Sequence, residues 1–331
     1  MGGDNLDAKG PGMTSPGDVG MGALLGNHGY SSRLILDVLL AQDSDTYLNQ
    51  TDTNLAISLV IFSGSSGSTD VGAPPAGIPV MMGEHVTLGN RADRMGSIFM
   101  YNGSNSSDPN ESSSPPATKY MKVIAPNHPI MAGIPLDAQG RVKIFREAYP
   151  EEELHVPTGG KRNFEYRWCT QALADAAPAT TVLGVLDGAE DRACFAVAEK
   201  DGMLASGEPA SARLVHMFTN EQGSGGSRRV FLAVTELGRA LFVRAAKWAM
   251  GEELQPYKSF RILDVTPAGP QTIRLSWESS AKQNYKIQAT TDFRDWSTVV
   301  DDIVGAEGSV SRTLDISAGP QALFLRVGAI P

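Results

Sequence analysis

The sequence predicts two domains: an α/β domain with a layered, mostly parallel sheet over residues 1–256, and a small all-β sandwich over residues 257–331. Two observations carry the first domain. The apolar runs Leu34 to Leu40, Ile57 to Phe62 and Val80 to Met82 are continuous rather than alternating, and polar or Gly/Pro turns bound them, which suits strands buried on both faces. Helix signals open and close the same region, so strands and helices share one stretch of chain. The third observation carries the second domain: after Pro256 helix signals stop, and short segments alternate apolar with polar residues between closely spaced turns.

Taken in order, Ser15-Pro16-Gly17-Asp18 starts a helix over about 16 to 28, because serine caps, proline suits the first helical position and aspartate meets the positive dipole end. Met21, Leu24 and Leu25 form its apolar face, and Gly29 closes it. Asn102 to Pro116, dominated by Ser, Asn, Gly and Pro, reads as a long loop. Further strands are expected at Tyr120 to Ile124, Val142 to Phe145, Thr181 to Leu186, Cys194 to Ala198 and Arg213 to Phe218. A helix over Glu236 to Met250 ends the domain, with Thr235 as its cap, Leu237, Leu241, Ala245 and Trp248 on one face, and Gly251 as its stop. The sandwich is expected to use Arg261 to Val265, Thr272 to Trp277, Tyr285 to Ala289 and Leu323 to Val327.

Composition excludes several classes of function. No apolar run approaches the roughly 20 residues that span a bilayer, so no membrane span is expected. A net charge of -9 and scattered Lys and Arg argue against nucleic acid as a partner, since that affinity is built from clustered basic residues. Cys169 and Cys194 are too few for a disulfide framework, have no zinc-like spacing with histidines, and are expected as buried thiols. Met1-Gly2-Gly3-Asp4 lacks a signal-peptide pattern, and its Gly-rich opening resembles the loop that follows a strand, so an upstream strand and an export signal are expected to precede it.

The order of motifs resembles a known family. Gly29-Tyr30, Leu59-Val60-Ile61-Phe62-Ser63, Pro79-Val80-Met81-Met82-Gly83-Glu84-His85, Asn127-His128-Pro129-Ile130 with Gly133, Ala198-Glu199-Lys200 and Trp248-Ala249-Met250-Gly251 together resemble the trehalose-utilisation (ThuA-like) branch of the class I glutamine amidotransferase-like superfamily. The resemblance covers roughly residues 17 to 252 and implies a flavodoxin-like sheet. The tail, through Leu275-Ser276-Trp277, Tyr285-Lys286-Ile287-Gln288, Asp292 with Trp296, and Phe324-Leu325-Arg326-Val327, resembles fibronectin type III-like modules of bacterial extracytoplasmic proteins. That likeness implies a periplasmic or secreted location.

In open α/β sheets ligands sit beyond the carboxyl ends of the strands. That rule selects Asp4, Ser63, Ser65, Ser66, Glu84, His85 and Glu199, with His128 in a rigid turn reaching the same crevice. Amidotransferases of the resembled superfamily place a cysteine at a strand-to-helix elbow, where this chain has Glu84 or a neighbour, so glutamine hydrolysis is not expected. Glu84 and His85 can act as general base or metal donors, or can simply cap and brace the backbone. Glu199 is an ion-pair partner or a second carboxylate facing Glu84, which would permit glycosidic hydrolysis. Gly64-Ser65-Ser66-Gly67 lacks the lysine of a phosphate loop and the strict nucleophile elbow, and reads as a turn whose hydroxyls line the crevice.

Three functions are therefore expected to compete. The first is a ligand-binding protein that acts on a small polar molecule, a carbohydrate by the family resemblance, through catalytic Glu84, His85 and Glu199, with Asp4, Ser63, Ser65, Ser66 and His128 binding. The second is a non-catalytic binding or scaffold protein of the cell envelope, and the third a serine hydrolase using Ser65 or Ser66. The sequence specifies neither a metal nor any other cofactor, and it leaves a homo-oligomer open.

Overall fold

In the computed structural model the described residues are 16–32, 57–63, 77–83, 100–102, 118–147, 166–220, 230–257, 262–281, 284–291, 297–317 and 324–330. The chain divides into two compact units, Met1–Tyr257 and Lys258–Pro331.

The first unit is built on one mixed sheet. Its strands are β1 (Val60–Phe62), β2 (Val80–Met82), β3 (Tyr120–Val123), β4 (Arg141–Lys143), β5 (Gln171–Ala172), β6 (Thr180–Leu186), β7 (Ala189–Ala198) and β8 (Leu214–His216). They lie in the order β1-β2-β8-β7-β6-β3-β4, with β5 on an extension of β7. Strands β2 and β8 are buried at every residue, so both faces are covered. One face carries Met81, Phe195, Val197 and Val215 and packs beneath two α-helices, α1 (Pro16–Asn27) and α2 (Glu236–Ala249). The other carries Val80, Met82, Ala196, Ala198 and Leu214, where small alanines admit Met100, Tyr101 and Cys169 against the strands.

This is not the flavodoxin-like, mostly parallel α/β layering that the sequence predicts. Strand accounts for 44% of the described residues and helix for 16%, with two α-helices. Among the described residues, parallel pairing is confined to β1 with β2 and β2 with β8, while the ladders of β3, β4, β5, β6 and β7 are antiparallel. The reason is that a continuous apolar run reports burial on both faces, and a central antiparallel strand meets that condition as well as a parallel one. Direction resides in the connections. Asp187-Gly188, with Gly188 at φ 81°, joins β6 to β7 as a two-residue turn, which only an antiparallel pair can use. The expected strand Leu34 to Leu40 and the loop beyond Asn102 to Pro116 lie outside the described residues.

The helices follow their sequence signals. Met21 and Leu25 of α1 are buried, and Gly29 ends the helix at φ 85°. In α2, Thr235 accepts a hydrogen bond from the Gly238 amide at 3.2 Å and donates to the Lys143 carbonyl at 2.7 Å, tying the cap to β4. Arg244 is buried on α2 and donates to the carbonyls of Ile130 and Gln255 at 2.7 Å each, of Ala132 at 3.3 Å, and of Pro129. It therefore joins the turn after β3 to the segment that leaves the unit, where the Tyr257 amide also donates to the Ala132 carbonyl at 2.7 Å.

The second unit contains two three-stranded antiparallel sheets. One is ordered β13 (Gly308–Asp315), β10 (Thr272–Ser279), β9 (Ile262–Gly269); the other is β12 (Ser297–Val304), β11 (Asn284–Thr290), β14 (Phe324–Ile330). Both contribute to one core, with Leu275, Trp277, Val310 and Leu314 from the first and Tyr285, Ile287 and Ile303 from the second. Strands β12 and β13 are absent from the sequence expectation, because Asp301-Asp302 and the Ser-rich start of β13 mask their alternation. The Trp277 indole is fully buried, and among the described residues its Nε1–H has no hydrogen-bond partner.

Two stability outcomes are expected. Replacing Arg244 with Met removes the guanidinium hydrogen bonds to four carbonyls, of which that of Ile130 is buried, and lowers the stability of the first unit by about 2–3 kcal/mol, read from the urea midpoint of helix ellipticity. Trp277→Phe removes an unpaired N–H along with part of the ring and costs less than about 2 kcal/mol, whereas Trp277→Ala costs about 3–5 kcal/mol, compared by thermal unfolding.

Candidate functional site

Three parallel strands in register end together. Phe62, Met82 and His216 are aligned across β1, β2 and β8, so Ser63, Gly83 and Met217 leave the sheet at one carboxyl edge. The Gly83 amide donates to the Phe62 carbonyl and the Met217 amide to the Met82 carbonyl, each at 2.7 Å, which carries the ladder one residue past the strands. Gly83 is required by space: a Cβ there would stand 2.8 Å from the Thr219 carbonyl oxygen and 2.8 Å from Met217 Cε. Beyond β8, residues 218–220 lie against residues 167–169 through Cys169 N to Phe218 O at 3.0 Å, a Trp168–Thr219 bridge, and Asn220 N to Arg167 O at 3.3 Å. The chain then continues as β5 along β7, where Gln171 faces Ala193.

This edge gathers the buried polar side chains of the first unit. Ser63, Thr170, Gln171, His216, Thr219 and Asn220 are all buried there, and Arg244 is the one buried polar residue of the unit's described part that lies elsewhere. Buried polar groups cost free energy unless paired, and Ser63, Thr170, Gln171, His216 and Asn220 are all engaged. Among the described residues the Thr219 hydroxyl has no hydrogen-bond partner although the residue is 1% exposed. None of the six side chains carries a charge. His216 is neutral because burial pushes its imidazole down to about 4.

His216 sits beneath this edge in a fully buried relay. Its Nε2 donates to the Cys169 carbonyl at 2.9 Å, and its Nδ1 accepts from the Tyr101 hydroxyl at 2.8 Å. A carbonyl only accepts, so this geometry selects the tautomer with the proton on Nε2. Burial likewise raises the Tyr101 phenol well above its ordinary value.

The remaining expected site residues separate. His128 and Glu199 are brought together, but at the opposite edge. Strand β7 runs antiparallel to β8, pairing Ala198 with Leu214, which in turn faces Val80 at the start of β2. Glu199 therefore emerges at the amino edge, across the three residues of β2 from Gly83, about 10 Å of strand. There it is exposed and accepts from Arg213 Nε at 2.8 Å. Arg213 lies 4.7 Å over the Trp248 ring and donates to the Trp248 carbonyl at 2.7 Å, closing the end of α2. His128 packs on Trp248 at 5.4 Å between ring centroids and accepts from the Ile130 amide at 3.3 Å. Burial lowers its pKa, with Glu199 opposing and Arg213 adding. These contacts brace a turn and a helix end.

Asp4, Ser65, Ser66, Glu84 and His85 lie outside the described residues. Both cysteines are buried and neither is in a disulfide, and burial raises the Cys194 thiol well above its ordinary value, far from the thiolate a nucleophile needs. No group of three or more His, Cys, Asp or Glu among the described residues could hold a metal ion.

The residues that sequence reasoning misses at this edge are Thr170, Gln171, Thr219 and Asn220. A signal for two of them was present: Thr219-Asn220 follows the apolar run Leu214 to Phe218, where the strand-end rule applies as it does to Ser63. Thr170 and Gln171 arrive through β5, a two-residue strand too short for periodicity to reveal. No protein-family model, no curated protein and no solved structure matches the chain.

The contact at Gly83 is directly testable. Gly83→Ala is expected to destabilise the first unit by about 1–3 kcal/mol, because backbone at Thr219 cannot yield as a side-chain end can. Chemical denaturation measures it, with exposed Gly26→Ala, which meets nothing within 4 Å, as the comparison.

Proposed function

We propose that this protein binds a small, uncharged, hydrogen-bonding ligand at the carboxyl edge of β1, β2 and β8. The observation that carries the reading is the gathering of buried, uncharged polar side chains there, with the Thr219 hydroxyl unpaired among the described residues. Hydroxyl and amide side chains donate and accept at once, which suits a ligand that does the same, and the absence of charge among them disfavours an anion or a cation. A carbohydrate fits this chemistry and agrees with the resemblance to the trehalose-utilisation branch, although the mixed sheet departs from the layering which that resemblance implied.

Binding without hydrolysis by paired carboxylates is the reading favoured here. Glu199 is engaged by Arg213 at the far edge, so it does not supply a carboxylate beside Ser63. Burial of both cysteines supports the same view of thiol chemistry.

The test is a thermal-shift screen of neutral mono- and disaccharides and polyols, with charged sugar acids as controls, on the wild type and on Thr219→Val. Thr219→Val keeps the shape, removes the unpaired hydroxyl, and is expected to leave the unliganded melting temperature unchanged or slightly raised. It should abolish or sharply reduce the shift given by a neutral ligand. A shift given only by charged compounds, or one that Thr219→Val leaves intact, overturns the assignment.

A further inference from the structure

Strand β7 changes its neighbour along one flank. Strand β6 pairs with β7 from Ala189 to Ala198 and so lines one flank throughout. On the opposite flank β8 pairs with Ala196 to Ala198, and β5 pairs with Arg192 and Ala193. Strand β5 thus takes over the place along β7 that β8 leaves, and the carboxyl edge is where one strand hands that place to the other. His216 is the last residue of β8 and pairs with Ala196, so it stands at the handover.

The segment that enters the vacated place is tied on both sides of it. Upstream it runs beside the continuation of β8: the Asn220 amide donates to the Arg167 carbonyl at 3.3 Å, and the Cys169 amide donates to the Phe218 carbonyl at 3.0 Å. Trp168 Nε1 adds a bond to the Thr118 carbonyl at 2.8 Å. Downstream, Gln171 and Ala172 pair with β7. Between the two, the Cys169 carbonyl accepts from His216 Nε2 at 2.9 Å. With Trp168 opposite Thr219, Cys169 is in register with Phe218, and in a continued antiparallel ladder its carbonyl would accept from the Phe218 amide. Here a side chain from two residues earlier holds it, so the chain leaves β8 for β7 without stranding a buried carbonyl.

We propose that His216, oriented by Tyr101, is a positioning residue of the ligand edge: its Nε2–H holds the Cys169 carbonyl at the handover and so delivers Thr170 and Gln171 to the same edge as Ser63 and Thr219. What Thr170 and Gln171 do there rests on the ligand reading above; how they arrive rests on strand pairing. Tyr101 fixes the ring. Its hydroxyl donates to Nδ1 at 2.8 Å, and its own ring stands edge-on to the imidazole, with centroids 5.5 Å apart. Both ring nitrogens are thereby engaged, and the proton stays on Nε2, where the carbonyl requires it. Tyr101, His216 and Cys169 are all fully buried, the setting in which a hydrogen-bonded supporting residue holds a site residue in place. An apolar side chain of similar bulk fills the space and leaves the carbonyl unheld. Glutamine, whose side-chain N–H reaches about as far as Nε2, restores the donor.

The experiment compares wild type, His216→Leu, His216→Gln and Tyr101→Phe as full chains at pH 7. Amide exchange at Cys169 reads the handover, with Leu241 to Ala246 in α2 as the reference within the same unit. Relative to α2, protection at Cys169 should fall about tenfold in His216→Leu, the worth of one hydrogen bond, and stay within about threefold in His216→Gln. Should His216→Leu fail to fold, Tyr101→Phe decides, with a fall of about threefold or more expected there. The ring nitrogen spectrum of His216 in wild type should show the proton on Nε2. Binding of glucose, maltose, sucrose and glycerol, read by thermal shift, should be weakened about tenfold in His216→Leu and kept in His216→Gln, a rescue that space filling alone would not give. If none of these compounds shifts wild type, the ligand reading loses its support, and the exchange pattern alone decides the positioning. Protection at Cys169 that survives His216→Leu, that falls in step with α2, or that His216→Gln fails to keep overturns the proposal. So does a proton on Nδ1, or a compound bound equally by wild type and His216→Leu.

Discussion

The structure of the first unit depends on the ladder between β7 and β8, where the sheet changes from parallel to antiparallel. Three registered pairs, Ala196 with His216, Val197 with Val215 and Ala198 with Leu214, impose that change. Because β7 enters reversed, its end and its following residues belong to the edge where β2 and β8 begin. Residues that follow strands along the chain are therefore distributed between two edges. One edge receives Ser63, Gly83 and Thr219, neutral and buried; the other receives Glu199, Arg213 and His128, ionic or braced against Trp248.

The same ladder explains the covering of the two faces. Side chains alternate along β7, so Phe195 and Val197 meet the helices while Ala196 and Ala198 turn to the other side. Small residues there create depth, and the chain fills it with Met100, Tyr101 and Cys169 in irregular segments. The layer that a flavodoxin-like fold would build from helices is, among the described residues of this face, built from bridges and turns, stapled by side-chain hydrogen bonds to backbone and to one histidine.

What the sequence reveals follows from which signals are local. Helix α2 is legible almost to the residue, since Thr235 and Gly251 mark its ends and the spacing of Leu241, Ala245 and Trp248 marks its buried face. Strands β2, β3 and β6 are likewise legible as apolar runs. Strand direction is not, because it depends on partners distant in sequence, and the one local clue, Asp187-Gly188, is only two residues long. The strand-end rule puts Ser63 at the carboxyl edge where it lies, while Glu199 follows a strand antiparallel to its neighbour β8 and emerges at the other edge, because the rule presumes a parallel neighbour. His216 reads from the sequence only as a strand residue, of the core or of the surface; its partners Tyr101 and Cys169 are 115 and 47 residues away.

Arg244 has a mechanical meaning as well. The chain leaving the first unit does not simply trail from the end of α2: the Gln255 carbonyl is gripped by a guanidinium seated in the helix, and the Tyr257 amide by the Ala132 carbonyl. The chain end at Tyr257 is thus tied by several hydrogen bonds at once, to α2 and to the turn after β3. The exit point is an anchorage, fastened to the body of the helix as well as to the turn beside it.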